Sequence, residues 1–114
     1  MRRIEGEQVL MRIFIGQTDR WERKPLYTAL LRLFRSKGLA GATVVQGVAG
    51  FGPDSILHEA HLLRLSQDLP VVIEVVDTQE HIDAVLGDVD RMMSGGLITM
   101  EKVRVVHYER GDKH

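Results

Sequence analysis

Three glycines set around one aromatic, Gly47, Gly50 and Gly52 with Phe51, follow directly on the β-branched run Ala42-Thr-Val-Val. Glycine has no Cβ, so a strand that runs into such a loop can turn bare backbone amides toward a phosphate or another anion. The same glycines equally suit a tight exit turn. Two phosphate motifs are excluded by spacing. The dinucleotide fingerprint puts its close glycine pair first and a helix directly after, whereas here the close pair comes last and Pro53 follows. A P-loop needs Lys-Ser/Thr where this chain has Pro53-Asp54. A phosphate held here therefore needs cations from elsewhere in the chain or from a neighbour. Arg64, Arg104, Arg20, Arg23 and Lys24 are the candidates, each also readable as solvated surface.

His58-Glu59-x-His61 has ligand types that zinc accepts, but it lacks the helix-borne His-Glu-x-x-His spacing and a further ligand nearby. The same groups could do acid–base work. No nucleophile stands beside them, so no catalytic residue and no metal ligand is assigned; a small metal-dependent hydrolase stays as an alternative. Glu74, inside Val71-Val-Ile-Glu-Val-Val76, is a carboxylate in an apolar strand. It needs a partner, such as a cation across a subunit interface, unless its side chain reaches the sheet rim.

The elements that must position these residues are legible from periodicity. Gln8 to Ile15 puts Val9, Met11, Ile13 and Ile15 on one face and Leu10, Arg12 and Phe14 on the other, a strand covered on both sides. Trp21 pins the polar connection that follows. Pro25 suits a first helical position, and Leu26, Leu30, Leu33 and Phe34 recur at helix spacing until Gly38. Thr43 to Val48 reads as the second strand and Val71 to Val76 as the third. The segment around Leu62 to Leu65 suits a helical turn or a short strand equally. Asp77-Thr-Gln-Glu80 matches a capping box with Asp in the first place, ahead of a stripe of Ile82, Val85, Leu86, Val89, Met92 and Met93. Gly95-Gly96 ends that helix, and Lys102 to Tyr108 reads as an edge strand.

The order is strand-helix-strand, strand-helix-strand. It predicts an α+β, ferredoxin-like βαββαβ fold: an antiparallel sheet, first and third strands central, both helices on one face. The opposite face then carries Leu10, Phe14, Val72 and Val76, and an uncovered apolar face predicts an oligomer in which sheets pack together. One domain over 8–109 is expected, with flexible termini at 1–7 and 110–114.

Composition narrows the functions. Fifteen Lys+Arg against sixteen Asp+Glu give a net charge of −1, without the broad positive field that DNA or RNA binding needs. There is no cysteine for a disulfide or thiolate, and no apolar stretch long enough for a signal peptide or membrane span. A cytoplasmic protein with no direct membrane insertion is expected.

Ile15-Gly-Gln-Thr-Asp-Arg-Trp, Lys24-Pro-Leu-Tyr, Gly38-Leu-Ala-Gly-Ala-Thr-Val, Gly47-Val-Ala-Gly-Phe-Gly and Leu65-Ser-Gln-Asp-Leu-Pro-Val-Val-Ile-Glu-Val-Val-Asp77 together resemble the domain of unknown function 190 family of the PII-like (GlnB-like) superfamily. The resemblance runs from Arg12 to Tyr108. It implies a homotrimer with its sheets facing inward and regulatory clefts between subunits that take an adenine nucleotide, AMP, ADP or ATP, as effector rather than as a firm cofactor. It also places Gly47, Gly50, Phe51 and Gly52 at the base of a ligand-responsive loop and His58 within it. His61 stands where relatives often carry a basic residue, which makes a phosphate contact there sensitive to pH. The ligand-binding expectation is thus Gly47, Gly50, Phe51, Gly52, His58, Arg64 and Arg104. The alternative is an adaptor whose 50–65 loop binds a membrane transporter or another protein.

Overall fold

The computed structural model describes residues 3–52 and 68–109. A four-stranded antiparallel sheet is built from β1 (Gly6–Gly16), β4 (Thr43–Gln46), β5 (Pro70–Asp77) and β6 (Leu97–Val105), in the order β4-β5-β1-β6. Helices α1 (Leu26–Ser36) and α2 (Gln79–Met92) provide the crossovers. β1 and β5 are central, as the alternation in both strands predicts.

Register decides which side chains meet the helices. Met11 pairs with Val75 and Ile13 with Ile73, and these residues are fully buried with Leu30, Phe34, Ile82, Val85 and Val89 from the helices. Both helices therefore cover the same face. On the other face Leu10 pairs with Val76, Arg12 with Glu74 and Phe14 with Val72, while β6 adds Leu97, Thr99 and Glu101 opposite Phe14, Arg12 and Leu10. Glu74 finds its cation inside its own chain. Arg12 Nε donates to Glu74 Oε2 at 2.8 Å, and Arg12 Nη1 donates to Glu101 across the other neighbouring strand. The bond to Glu74, with Glu101 beside it, pushes the Arg12 pKa further above its ordinary value.

Several boundaries differ from expectation for identifiable reasons. Thr78, not Asp77, is the N-cap of α2: its hydroxyl accepts from the His81 amide at 3.1 Å. Asp77 is fully buried and faces inward instead, accepting from Ala40 N at 2.8 Å and Thr78 N at 2.7 Å. Pro25 is the N-cap rather than the first helical residue of α1, because its ψ of 133° is extended and it pairs with Arg20 in a small hairpin. That hairpin, β2 (Arg20–Trp21) and β3 (Lys24–Pro25), turns through Glu22 and Arg23 at positive φ and sets Trp21 against the core. β4 stops at Gln46, short of Val48, and β6 starts at Leu97, five residues before Lys102, and ends at Val105, three before the end expected at Tyr108. Tyr108 lies beyond β6 and donates its hydroxyl to Ala40 O at 2.9 Å. Residues 3–7, expected as part of a flexible terminus, are tied in: Ile4 is buried, Arg3 bridges Glu109, and β1 begins at Gly6. Residues 110–114 and the segment around Leu62 to Leu65 lie outside the described residues. Among the described residues no helix is long and apolar enough to cross a membrane.

Candidate ligand cleft

A cleft of about 480 Å³ opens at the end of the sheet where β1 and the start of β5 meet the entry to β6. Phe14, Ile15 and Gly16 form its floor, Gly50, Phe51 and Gly52 one wall, and Ser94, Gly95 and Gly96 another. Gly50, Phe51 and Gly52 thus stand together at a cavity. Phe51 is 72% exposed at its lip, placed to lie against a planar ligand.

Gly47 has a different task. Its N–H donates to Pro70 O at 2.7 Å, so that amide is spent within the fold. A Cβ at Gly47 would stand 2.7 Å from Pro70 Cγ, and one at Gly50 3.1 Å from the same atom. These two glycines let the loop close over the Pro70 ring. Gly47→Ala is expected to destabilise the protein by about 2 kcal/mol through overpacking, measured by urea denaturation.

Gly95 and Gly96, legible in the sequence only as a helix stop, form the second glycine wall. Gly96 has φ +109°, and a Cβ there would lie 2.5 Å from the Phe14 carbonyl oxygen, so only glycine lets this turn pass over β1. The other residues that periodicity did not single out are Asp19 and Asp68. Asp19 Oδ2 accepts from Gly16 N at 3.0 Å, and Asp68 Oδ1 accepts from the Thr18 hydroxyl at 2.9 Å. The signal for both was present in Gly16-Gln-Thr-Asp19 at a strand exit and Asp68-Leu-Pro at a strand entry, where Asp side chains commonly order turns.

Among the described residues the cleft lining carries Asp19 and Asp68 and no cation. At roughly 6 Å and an effective dielectric near 20, one phosphate charge beside one carboxylate meets a repulsion of roughly 3 kcal/mol. Arg104 does not relieve this within one chain. It stands opposite Glu7, whereas the cleft begins at Phe14, a separation of roughly 23 Å along β1 at about 3.3 Å per residue. Arg20 is folded onto its own hairpin, donating to Arg23 O. His58, Arg64 and the His58-Glu59-x-His61 group lie outside the described residues. Among the described residues no group of three or more His, Asp or Glu side chains could hold a metal.

This architecture is the PII-like fold. CPII, a nitrogen regulatory PII-like protein from Thiomonas intermedia K12, superposes with a TM-score of 0.64 in a structure bound to ADP, AMP and bicarbonate, at 18% identity over 87% of this chain and 88% of that one. The same protein bound to ADP and bicarbonate gives 0.61 at 16% identity, with the same coverage of 87% and 88%. The chain belongs to the DUF190 family, described as "Uncharacterized ACR, COG1993", whose model matches residues 8–105. A UPF0166 protein of Aquifex aeolicus is 38% identical over 98 residues, 86% of this chain and 92% of that protein. A UPF0166 protein of Methanocaldococcus jannaschii is 35% identical over 77 residues, 68% of this chain and 70% of its own length.

Proposed function

We propose that this chain is a PII-like regulatory protein that assembles as a homotrimer through its open sheet face and binds an adenine nucleotide in clefts between subunits. The observation that carries the reading is the cleft walled by Gly50 to Gly52 and Gly95 to Gly96, with exposed Phe51 at its lip. Its position at one end of the open sheet face supports an intersubunit site, because copies packed by that face would bring a second surface to the cleft. The same fold in CPII, solved with ADP and AMP, supports the choice of nucleotide. Phe51 stacks on or closes over the base. Arg104, a sheet length away in its own chain, serves a cleft only when it comes from a neighbouring copy, and Arg64 or Arg104 neutralises the phosphate charge. Nucleotide binding then shifts the population of loop conformations that a partner protein reads.

Titration calorimetry with AMP, ADP and ATP, run beside sedimentation velocity on the same protein, tests this. Saturable binding of at least one nucleotide at one site per chain, to a species of trimer mass, is expected. Absence of binding to all three overturns the nucleotide reading, and a monomer at working concentration overturns the shared cleft.

A further inference from the structure

We infer that the outer face of the two helices is a second self-association surface, on which α1 of one copy lies over α2 of another. The inference stands apart from the nucleotide reading, because it uses the opposite side of the molecule from the open sheet face.

Its first ground is a division of charge. α1 with its C-cap carries Arg32, Arg35 and Lys37 and no acid, and Arg23 and Lys24 of the hairpin extend the same strip. α2 carries Glu80, Asp83, Asp88 and Asp90 against Arg91, which pairs with Asp88. Arg32, Arg35, Glu80, Asp83 and Asp90 are all exposed. Helix dipoles account for part of this pattern, since Arg35 ends α1 and Glu80 begins α2. They oppose the rest: Arg23 and Lys24 stand just ahead of α1, and Asp90 lies in the last turn of α2. Strips that keep their sign against the local field are matched to a surface of opposite sign.

The topology makes that surface a second copy. α1 starts beside Asp19, whose carbonyl accepts from Leu26 N, and ends where Ala40 reaches Asp77. α2 starts at that far end, directly after Asp77, and finishes at the Gly96 turn over the Phe14 carbonyl. The helices therefore run antiparallel on one face of the sheet, with Arg35 and Lys37 at the same end as Glu80 and Asp83, and the hairpin cations at the same end as Asp90. A twofold axis parallel to the helices lays α1 of one copy on α2 of its mate without exchanging the ends. Each cationic group then meets an acidic one, in both halves of the contact. A foreign partner requires no such match within one chain, whereas a twofold contact does.

Gly87 supplies the second ground. It is exposed in the middle of α2, one turn after exposed Ala84 and between Asp83 and Asp90. Glycine weakens a helix interior, and among the described residues a Cβ there would meet nothing within 4 Å. Packing inside the chain does not call for it. On the outer face it lowers the surface of α2 so that another helix can lie close between the acids.

Sedimentation velocity at about 20 mM and about 300 mM salt tests the contact, because attraction between exposed charges weakens as salt screens it. Wild type is expected to show at least a doubling of mass at the low salt, and at the high salt only what the sheet face assembles. Arg32→Glu with Arg35→Glu makes both strips acidic and is expected to weaken the low-salt association about tenfold or more. Adding Glu80→Lys and Asp83→Lys exchanges the strips, returns the net charge to −1 and is expected to restore it. Gly87→Gln leaves the charge alone; it is expected to raise the melting temperature and to lose the low-salt species through its added side chain. Melting curves show which variants are folded, and Gly87→Gln decides alone where a charge variant is not. Wild type of the same mass at both salts overturns the inference. So does a folded fourfold variant that stays apart, or a Gly87→Gln chain that associates as wild type does, which takes α2 out of the contact. Wild type of unchanged mass that binds phosphatidylserine vesicles at low salt overturns it as well and hands the basic strip to an anionic membrane surface.

Discussion

Asp77→Ala is expected to cost the fold on the order of 4 kcal/mol, because the side chain is fully buried and its two carboxyl oxygens accept from two backbone amides that would each lose a partner. One oxygen holds Ala40 in the connection from α1 to β4, and the other holds Thr78 at the start of α2. Tyr108 holds the carbonyl of the same Ala40 from beyond β6. A single side chain thus ties the two βαβ halves together where β5 ends. The sharper test is Asp77→Asn. It keeps the shape but turns one acceptor into an NH2 group that faces an amide N–H, so it is expected to lose most of what alanine loses. Urea denaturation at one fixed protein concentration measures both variants. An Asn variant within about 1 kcal/mol of wild type would show that only one of the two oxygens matters.

Asp77 also shows what the sequence left open. The N-cap can be read at Asp77, with Glu80 three residues on, or one residue later at Thr78, and the identity of the capping side chain alone does not choose, since Asp and Thr are both good N-caps. The choice is tertiary: Ala40 needs an acceptor, and Asp77 is the residue that the inward-facing register of β5 delivers to it. The large elements were legible because their burial is periodic. Met11, Ile13, Ile73 and Val75 alternate, and Leu30, Phe34, Ile82, Val85 and Val89 recur at helix spacing. The cleft was half legible. Phe51 and its flanking glycines break the strand pattern visibly, while Gly95-Gly96 resembles any helix stop until the turn is seen to lie on the Phe14 carbonyl. Asp19 and Asp68 lie far apart in sequence and meet only because Gly16 and Pro70 pair in the register of β1 with β5. Periodicity contains no such information.

The role of Arg12 is the other case where pairing, not pattern, carries the meaning, and it gives the second large prediction. Arg12, Glu74 and Glu101 form one ion cluster in the middle of the open sheet face, among Leu10, Phe14, Val72 and Val76. In a lone chain these side chains are 37%, 38% and 53% exposed, and a pair so hydrated contributes less than about 1 kcal/mol. If the face is buried between copies, the same change has a far larger effect. Arg12→Leu then leaves two unpaired carboxylates in an apolar interface, at about 3–5 kcal/mol for each chain in the assembly. The variant is accordingly expected to fold as well as wild type and to sediment as a monomer. Replacing the whole cluster, Arg12→Leu with Glu74→Leu and Glu101→Leu, removes the unpaired charge and is expected to restore assembly, since apolar groups substitute well for a buried ion cluster. The contrast separates lost charge balance from lost packing. A single variant that keeps the wild-type mass would mean that this face stays in water, and the cleft would then need its missing cations from somewhere other than a sheet-packed neighbour.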